Sequence, residues 1–291
     1  MNSSTEVNHE KLMELFGNVF NDVAGSMAIM MSYLGDQTGA YRAMDKLGPA
    51  TAEEIAKESN VDERYLLEWL SSNAGRGYVT YHDDTNQFSL SPEQAAVFAR
   101  ENEPTCIQGL VQGVVGQFVK EDVAVEVFKT GRGRPWGEHH ECCFCGTERF
   151  FRPAYAGHLL DEWIPAMEGV EDKLKKGAKV ADIGCGLGTS SMLMAEQYPN
   201  STIHAFDFHG PSIEEAKKRA AEKGLSNLEF FVSDAAAIPK ESYDLACIFD
   251  AWHDMGDPVG VAKAIKDTLA DDGTFMVVEP MALDGLKNNI D

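Results

Sequence analysis

The stretch Val180-Ala-Asp-Ile-Gly-Cys-Gly-Leu-Gly-Thr-Ser-Ser191 decides the fold of this 291-residue chain. Its apolar start predicts a buried strand, its three alternate glycines predict a tight turn, and the residues after them predict a helix. Glycines in the turn let a ligand approach the backbone closely, and the helix directs its free N–H groups into the same space. The stretch therefore predicts a cradle for a nucleotide or a nucleoside.

The spacing of the glycines argues against a dinucleotide, because that pattern needs a third glycine three positions after the second, where Thr189 stands. Asp182, two residues before the first glycine, is poorly placed beside a pyrophosphate but well placed beside a cationic amino acid group. A tight strand-to-helix turn without a ligand is the alternative. The form acid-x-Gly-x-Gly-x-Gly resembles the first motif of class I S-adenosylmethionine-dependent methyltransferases. The resemblance implies S-adenosylmethionine as cofactor, with its methionine end held by Asp182, Gly184, Cys185, Gly186 and Gly188.

From residue 179 onward, strand and helix patterns alternate with short connections. This order predicts an α/β fold, a Rossmann-like doubly wound parallel sheet. The strands are expected at 179–183, 202–206, 228–232, 245–249 and 274–278. Ligands of such sheets bind beyond the carboxyl ends of the strands. An acidic residue stands at or near the end of nearly every strand, and these residues are Asp182, Asp207, Asp234, Asp250 and Glu279.

The resemblance to the methyltransferases assigns roles to the acids around the cofactor. Asp207 corresponds to the acid that grips both ribose hydroxyls, and Phe208 beside it is expected to pack on the adenine. Asp234 corresponds to the acid that receives the adenine amino group, with Ala235 supplying a backbone contact. Asp250 is expected on the same cofactor-binding edge. For any one of these acids, the alternative is a helix N-cap or a solvated loop residue.

The segment Phe249-Asp-Ala-Trp-His-Asp-Met-Gly-Asp-Pro258 carries the candidate chemistry. Methyl transfer to a hydroxyl needs an aligned acceptor and a base for its proton, and a histidine serves as base near neutral pH. His253-Asp254 resembles the His-Asp pair of plant and bacterial O-methyltransferases, which implies His253 as general base and Glu279 as the acid that orients it. Trp252 is a candidate substrate contact. The alternative for His253 is a solvent-facing loop residue.

Residues 1–100 have the pattern of helices followed by a β-hairpin. Apolar side chains recur at helical spacing from residue 9 to 34, and Thr51-Ala-Glu-Glu54 has the form of a capping box. A further helix is expected after Asn60-Val-Asp62. Two short strands at 78–82 and 87–90 then flank a turn. Helices followed by a two-stranded wing predict a winged-helix domain.

Winged helices often bind DNA, but residues 1–100 carry seven Lys or Arg against fifteen Asp or Glu. Their would-be recognition helix has Asp62, Glu63 and Glu68 beside the single Arg64, so phosphates would repel it. A winged helix followed by a methyltransferase domain resembles the small-molecule O-methyltransferases of plants and bacteria. In that family the N-terminal domain dimerises and helps to close the substrate pocket, which implies a homodimer through the N-terminal helices.

Residues 101–175 are expected to connect the domains and to cover substrate and cofactor. Helices are predicted over 107–128 and 150–167. The segment Glu138-His-His-Glu-Cys-Cys-Phe-Cys-Gly146 is predicted to be a loop. Zinc ligands come as spaced pairs from separate stretches, and the other thiols offer no second pair, so no metal is expected. His139 and His140 are candidate substrate contacts, with a surface loop of buried thiols as the alternative.

The overall composition excludes several partners. A net charge of −22 argues against broad binding to nucleic acid or anionic membranes, because phosphate contacts are made chiefly by Lys and Arg. The N-terminus lacks a basic region followed by an apolar one, and no apolar stretch is long enough to span a bilayer. We therefore expect a cytoplasmic protein with reduced thiols and no membrane partner.

The expected organisation is a winged-helix dimerisation domain (1–100), a helical connection (101–175) and an S-adenosylmethionine-binding domain (176–291). Methyltransferases of this class continue with a helix and two more strands, so a chain that stops at Asp291 is expected to lack the last strands of the sheet. The expected function is methyl transfer to a small-molecule acceptor, on oxygen. The alternatives are a cofactor-binding protein without turnover and a cofactor-sensing transcription regulator.

Overall fold

The computed structural model describes residues 7–290. The chain folds into two compact units, one that ends at Phe150 and one that begins at Phe151. The first six residues of the predicted winged-helix domain, and Asp291, lie outside the described residues. Within residues 7–290, no helix has both the length and the apolar character that a membrane span needs.

The first unit begins with four helices, a hairpin and a fifth helix, which is the expected winged-helix order. Thr51 caps the third helix as predicted, since its hydroxyl accepts from the Glu54 N–H and the Glu54 carboxylate accepts from the Thr51 N–H. The elements are α1 (His9–Gln37), α2 (Ala40–Leu47), α3 (Ala52–Ser59), α4 (Glu63–Gly75), β1 (Thr80–His82), β2 (Gln87–Ser89) and α5 (Pro92–Phe98).

A small aromatic core holds these elements together. The Tyr41 ring packs edge-on against Trp69, with ring centroids 4.8 Å apart, and its hydroxyl donates to Asn73 Oδ1 at 2.9 Å. The Trp69 indole N–H donates to the carbonyl of Met31. Gly35 permits this approach of α1, because a Cβ there would overlap both rings.

Three further helices follow, and they contradict two of the predictions. The structure has α6 (Gln108–Val119), α7 (Glu121–Thr130) and α8 (Glu141–Ala154). The single helix predicted over 107–128 is wrong, because Lys120 has non-helical dihedrals and separates α6 from α7. The loop predicted over 138–146 is also wrong, since Cys142, Cys143 and Cys145 lie in the first turns of α8.

Close packing explains why this cysteine-rich segment is helical. Gly109 of α6 lies against the backbone of Gly146, and Gly116 lies against Cys143, whose Sγ would be 2.7 Å from an added Cβ. At the start of α8, the carbonyl and Nδ1 of His140 accept from the Cys143 and Cys142 N–H groups. Tertiary packing thus overrides the weak helix propensity of Cys and Gly.

A buried ion network also joins these helices. Arg149 of α8 donates to both carboxylate oxygens of Asp36 in α1, at 2.9 and 3.1 Å. It also donates to Glu101 and to Gln112 of α6. The side chain of Asp36 is only 4% exposed, and the guanidinium groups of Arg149 and Arg42 together compensate its charge.

The second unit is an α/β sheet, as predicted, preceded by helical segments. Strand order is β5-β4-β3-β6-β7, and all neighbours are parallel. Its elements are a π-helix (Tyr155–Trp163), α9 (Val170–Lys176), β3 (Lys179–Ile183), α10 (Thr189–Gln197), β4 (Thr202–Asp207), α11 (Gly210–Glu222), β5 (Leu228–Val232), β6 (Tyr243–Phe249), α12 (Pro258–Thr268) and β7 (Leu269–Val278).

The helix predicted over 150–167 changes form within its length. It is α-helical to Ala154 and then continues as the nine-residue π-helix. Pro153 lies just before the change and has no N–H to continue the α-helical ladder. The π-helix carries Tyr155 and Trp163, whose rings lie 5.4 and 6.3 Å from that of Phe249 at the end of β6.

The strand order creates a switch point at β3. The chain moves outward from β3 to β4 and β5, and then crosses back to place β6 on the other side of β3. Connections therefore diverge beyond the carboxyl end of β3, which is where ligands of open parallel sheets bind. The glycine loop and the segment after β6 both lie at this edge.

Candidate functional site

The glycine loop follows β3 in the conformation that the sequence predicted. All three glycines have positive φ, at +73°, +53° and +77° for Gly184, Gly186 and Gly188. The N–H groups of Gly184 and Cys185 donate to the carbonyl of Phe206, which ties the loop to β4. A Cβ at Gly184 would lie 2.8 Å from Ala251, whereas nothing lies within 4 Å of one at Gly186. The loop is therefore packed at its ends and open at its centre.

Asp207, the last residue of β4, lies beside this open centre. Its Oδ2 accepts from the Gly186 N–H and its Oδ1 from the His209 N–H, both at 2.8 Å. A carboxylate has about four acceptor positions, so two remain for other donors. Phe208 follows with a side chain that is 55% exposed. These are features that a ribose and a purine ring would use.

Asp182 is buried inside the unit and does not lie on an open edge. Its Oδ2 accepts from the hydroxyls of Ser190 and Ser191, at 2.7 and 2.5 Å. Its Oδ1 is buried and has no hydrogen-bond partner among residues 7–290. Burial raises the pKa of Asp182 to about 6, and the two serine hydroxyls oppose the rise. The carboxylate thus anchors the start of α10 beneath the loop and leaves one acceptor unfilled.

Asp234 has a local structural role of the kind that the alternative interpretation described. Its Oδ1 accepts from the Ala236 N–H at 2.7 Å and caps a short 3-10 helix, Ala235–Ala237. The residue is exposed, so its second oxygen faces solvent. Contacts of Asp234 and Ala235 with an adenine stay predictions.

His253 and Glu279 form the closest pair at this edge. Glu279 Oε2 lies 2.5 Å from His253 Nδ1, and Glu279 Oε1 accepts from the backbone N–H groups of Ala251 and Trp252. The hydrogen bond with Glu279 raises the pKa of His253 above its usual value of 6.5. Because the Glu279 carboxylate accepts a hydrogen bond from Nδ1–H, it favours the neutral tautomer that has its lone pair on Nε2. The ring, 50% exposed, can therefore accept a proton from a ligand.

Asp250 lies between the strand and this pair. It has a φ of +51°, and its N–H donates to the carbonyl of Val278 at 2.8 Å. Burial raises the pKa of Asp250 to about 6. Among residues 7–290, Asp250, His253 and Glu279 are the group whose ligand atoms, all within 4.8 Å of one another, could hold a metal ion. Within those residues, the cysteine-rich start of α8 offers no such group.

The side chains of the remaining candidate residues have local surroundings of their own. The Trp252 indole N–H donates to the carbonyl of Pro258, which fixes its ring beside α12. His139 and His140 belong to the first unit and flank the start of α8. Substrate contacts by these three residues stay predictions. Sequence reasoning missed Ser190 and Ser191, although two hydroxyls directly after a glycine loop are a readable signal for a buried acceptor.

The residues at this edge fit the expected cofactor. The open centre at Gly186 leaves room that a Cβ would occupy, Asp207 has spare acceptor positions for hydroxyls, and Asp182 has a buried oxygen without a donor. The donors and acceptors are those of a nucleoside site, and no cationic side chain is present in the loop to bind a pyrophosphate.

Comparison with known families agrees with both units. Residues 174–291 match the model of a methyltransferase domain, and residues 25–100 match an Rv2258c-like winged helix-turn-helix domain. The aklanonic acid methyltransferase DauC of Streptomyces sp. (strain C5) is 33% identical over 108 residues, which are 36% of this chain and 49% of that protein. The chain thus spans about half the length of the curated relatives it matches.

Two solved structures share the whole fold. The mitomycin 7-O-methyltransferase MmcR aligns with a TM-score of 0.68 at 16% identity, over 96% of this chain and 84% of that one. Human N-acetylserotonin methyltransferase, in complex with SAM, aligns with a TM-score of 0.65 at 15% identity, over 95% and 81%. The match to a methyltransferase domain and the neighbour in complex with SAM confirm the expectation that the cofactor is S-adenosylmethionine. The chain thus contains an N-terminal winged helix-turn-helix domain and a domain of the methyltransferase family, and it has the fold of the S-adenosylmethionine-dependent O-methyltransferases.

Proposed function

We propose that this protein transfers a methyl group from S-adenosylmethionine to a hydroxyl oxygen of a small molecule. The observation that carries the proposal is the His253–Glu279 pair next to the glycine loop. The two features are adjacent because Gly184 of the loop lies against Ala251, two residues before His253. A nucleoside held by the loop would therefore lie beside a histidine that can act as a base.

The glycine loop, Asp207 and Asp182 would hold the cofactor. Asp207 has acceptor positions for the ribose hydroxyls, and the backbone at Gly186 leaves the space for the sugar and the amino acid part. The unfilled oxygen of Asp182 is buried beneath the loop and would reach an ammonium group through a water molecule. When bound, S-adenosylmethionine would supply a methyl group on a sulfonium, whose sulfur is the leaving group in an in-line displacement.

His253 would remove the proton that the acceptor hydroxyl loses. Its Nε2 takes that proton as the new carbon–oxygen bond forms and the carbon–sulfur bond breaks, which leaves a neutral thioether. The imidazolium formed in this step is stabilised by Glu279, whose other oxygen is fixed by two backbone N–H groups. Glu279 is thus a positioning residue for the base.

Methyl transfer from labelled S-adenosylmethionine to a panel of phenols and to the matching anilines tests this function. We expect label in the phenols, and a loss of about 100-fold or more in His253→Gln, as is typical of a general base. A matched control is His82→Gln, since His82 is a histidine of the wing whose ring bonds Ser89. Transfer to anilines alone, or full activity in His253→Gln, would refute the oxygen assignment or the base.

A homodimer through the N-terminal helix is part of the proposal. The first half of α1 exposes a row of apolar side chains, in which Phe16 and Phe20 stack at 6.2 Å and are 60% and 63% exposed. Such a face is covered by a partner in most soluble proteins, and a second copy offers an equal face. The mass in solution tests this: we expect twice the chain mass at micromolar concentration and a monomer for Phe20→Glu. A monomeric wild type would contradict it.

We propose neither nucleic acid nor a membrane as a partner of this protein. We do propose that it works in a reducing compartment. The single arginine of the predicted recognition helix, Arg64, is paired with Glu68, whose negative charge opposes an approach by phosphates. The six cysteines, all within the described residues, are free thiols, which agrees with a cytoplasmic protein. Retention of the protein on duplex DNA at low salt would contradict the exclusion of nucleic acid as a partner.

A further inference from the structure

The segment between α7 and α8 holds two arginines in different electrostatic surroundings. Arg132 is paired with two carboxylates, those of Glu126 and Glu138, through both sides of its guanidinium. Arg134 forms no ion pair with any residue in the described part of the chain. The pKa of Glu138 is lowered chiefly by its hydrogen bond with Arg132 and also by the nearby charge of Arg134, but no ion pair forms between Glu138 and Arg134. In a protein with a net charge of −22, a half-buried arginine without an ion pair is unusual.

The unpaired donors of Arg134 have a specific arrangement. Its Nη1 donates to Gln117 Oε1 at a long 3.4 Å. Its Nε and Nη2 are shielded from water and have no hydrogen-bond partner within residues 7–290. These two N–H groups lie on one edge of the guanidinium and point the same way, which is the fork that binds the two oxygens of a carboxylate. Buried charged donors without acceptors are unfavourable, so an acceptor from outside the chain would stabilise them.

Aromatic rings lie in the same segment. Trp136, two residues after Arg134, has its ring centroid 5.3 Å from that of His139 and 5.2 Å from that of Phe144. Burial raises the pKa of the Cys143 thiol, and the charge of Arg134 partly offsets this rise, which places the guanidinium near the first turn of α8. All three rings are partly exposed, so a flat ligand can reach them.

We propose that Arg134, together with Trp136 and Phe144, binds the carboxylate of a small aromatic acid. A monoanion is favoured over a phosphate dianion, because the site has one unpaired cation and Glu138 and Glu126 lie close to it through Arg132. Entry of the ligand requires the covered edge to open, and Gly131 and Gly133, both at positive φ, directly precede Arg134 and give the backbone there the freedom to move. The proposal concerns binding alone and does not rest on methyl transfer.

Calorimetric titration of the full chain with benzoate, 2-naphthoate, benzamide and inorganic phosphate tests the site, without S-adenosylmethionine present. We expect benzoate or 2-naphthoate to bind at least tenfold more tightly than benzamide or phosphate. Arg134→Met should weaken acid binding at least tenfold, and Arg134→Lys should weaken it less, because it keeps the charge and loses the fork. Arg76→Met is the control, since Arg76 is an exposed arginine of the same unit and should bind as the wild type does.

Thermal melting of each variant shows whether the unit is folded, and Arg134→Lys keeps the test valid if Arg134→Met does not fold. Three results would overturn the proposal: neither acid binds the wild type, benzamide or phosphate binds as tightly as the acids, or a folded Arg134 variant keeps wild-type affinity for them. Failure of the methyl-transfer assay would leave this result unaffected, since the readout is binding of the acid.

Discussion

Substitution of Gly186 by alanine separates the role of the glycine loop in folding from its role in ligand binding. Gly186 has a φ of +53°, and a Cβ there would meet no atom of the protein within 4 Å. The methyl group would therefore cause no clash in the free protein. It would project into the space that we assign to S-adenosylmethionine, beside the N–H that donates to Asp207.

The expected cost to stability follows from the backbone alone. A non-glycine residue in the left-handed region costs about 1–2 kcal/mol, which lowers the melting temperature by about 2–8 °C in a domain of this size. Gly224 has a φ of +71° and is equally open, so Gly224→Ala should have the same cost without touching the site. The affinity for S-adenosylmethionine should fall at least about tenfold, or 1.4 kcal/mol, in Gly186→Ala and stay unchanged in Gly224→Ala.

Thermal melting and calorimetric titration of the two variants test whether the space at Gly186 belongs to the cofactor site. Equal melting temperatures with affinity lost only in Gly186→Ala would support the assignment. The reasoning is refuted if Gly186→Ala binds as the wild type does, because the open side of the loop would then face away from the ligand. It is also refuted if both variants lose affinity equally.

Two further predictions concern the base and the buried ion network. Because Glu279 raises the pKa of His253, the base is protonated and inactive at low pH, and the rising limb of the kcat/KM profile should lie above pH 6.5. This limb should shift to lower pH in Glu279→Gln, and an unshifted limb would show that Glu279 does not position the base. Arg149→Met should destabilise the first unit by about 2 kcal/mol, since it removes one of the two arginines that compensate the buried Asp36 and leaves Arg42 in place. Loss of the exposed pair in Arg64→Met should cost about 0.5 kcal/mol or less by urea unfolding, and equal losses would contradict this.

The sheet was predictable because its signals are local. Strands β3 and β5 begin and end where the apolar runs predict, and the glycine loop follows β3 with the expected positive φ at Gly184, Gly186 and Gly188. The winged-helix order followed equally well, since the capping box at Thr51 and the turn between β1 and β2 are also local patterns. Each of these elements depends on a few consecutive residues.

The helices between the domains were predicted less well because long-range contacts determine them. The cysteine-rich start of α8 is helical through its contact with glycines of α6, which lie more than 25 residues earlier in the chain. The non-helical Lys120 between α6 and α7 has no sequence signal such as a proline or a glycine. The network of Arg149 joins residues up to 113 positions apart. No periodicity within one segment carries such information.

The sequence predicted which residues belong to the candidate site but not how their side chains are arranged. His253 and Glu279 do meet, as the resemblance implied, and their separation of 2.5 Å comes from the pairing of β6 with β7. Asp182 was expected at the cofactor's edge but is fully buried on two serines. The sequence names an acid before a glycine loop, but only the packing of α10 decides which way its oxygens point.

The central claim is that the loop after β3 binds S-adenosylmethionine, and the most direct test is calorimetric titration with S-adenosylmethionine and, separately, with NAD. Asp207→Asn is the informative variant, because it keeps one acceptor for the Gly186 N–H and removes the charge that we propose for the ribose hydroxyls. We predict micromolar binding of S-adenosylmethionine to the wild type, at least tenfold weaker binding to Asp207→Asn, and no binding of NAD. Binding of NAD, or undiminished binding of S-adenosylmethionine to the variant, would contradict the account.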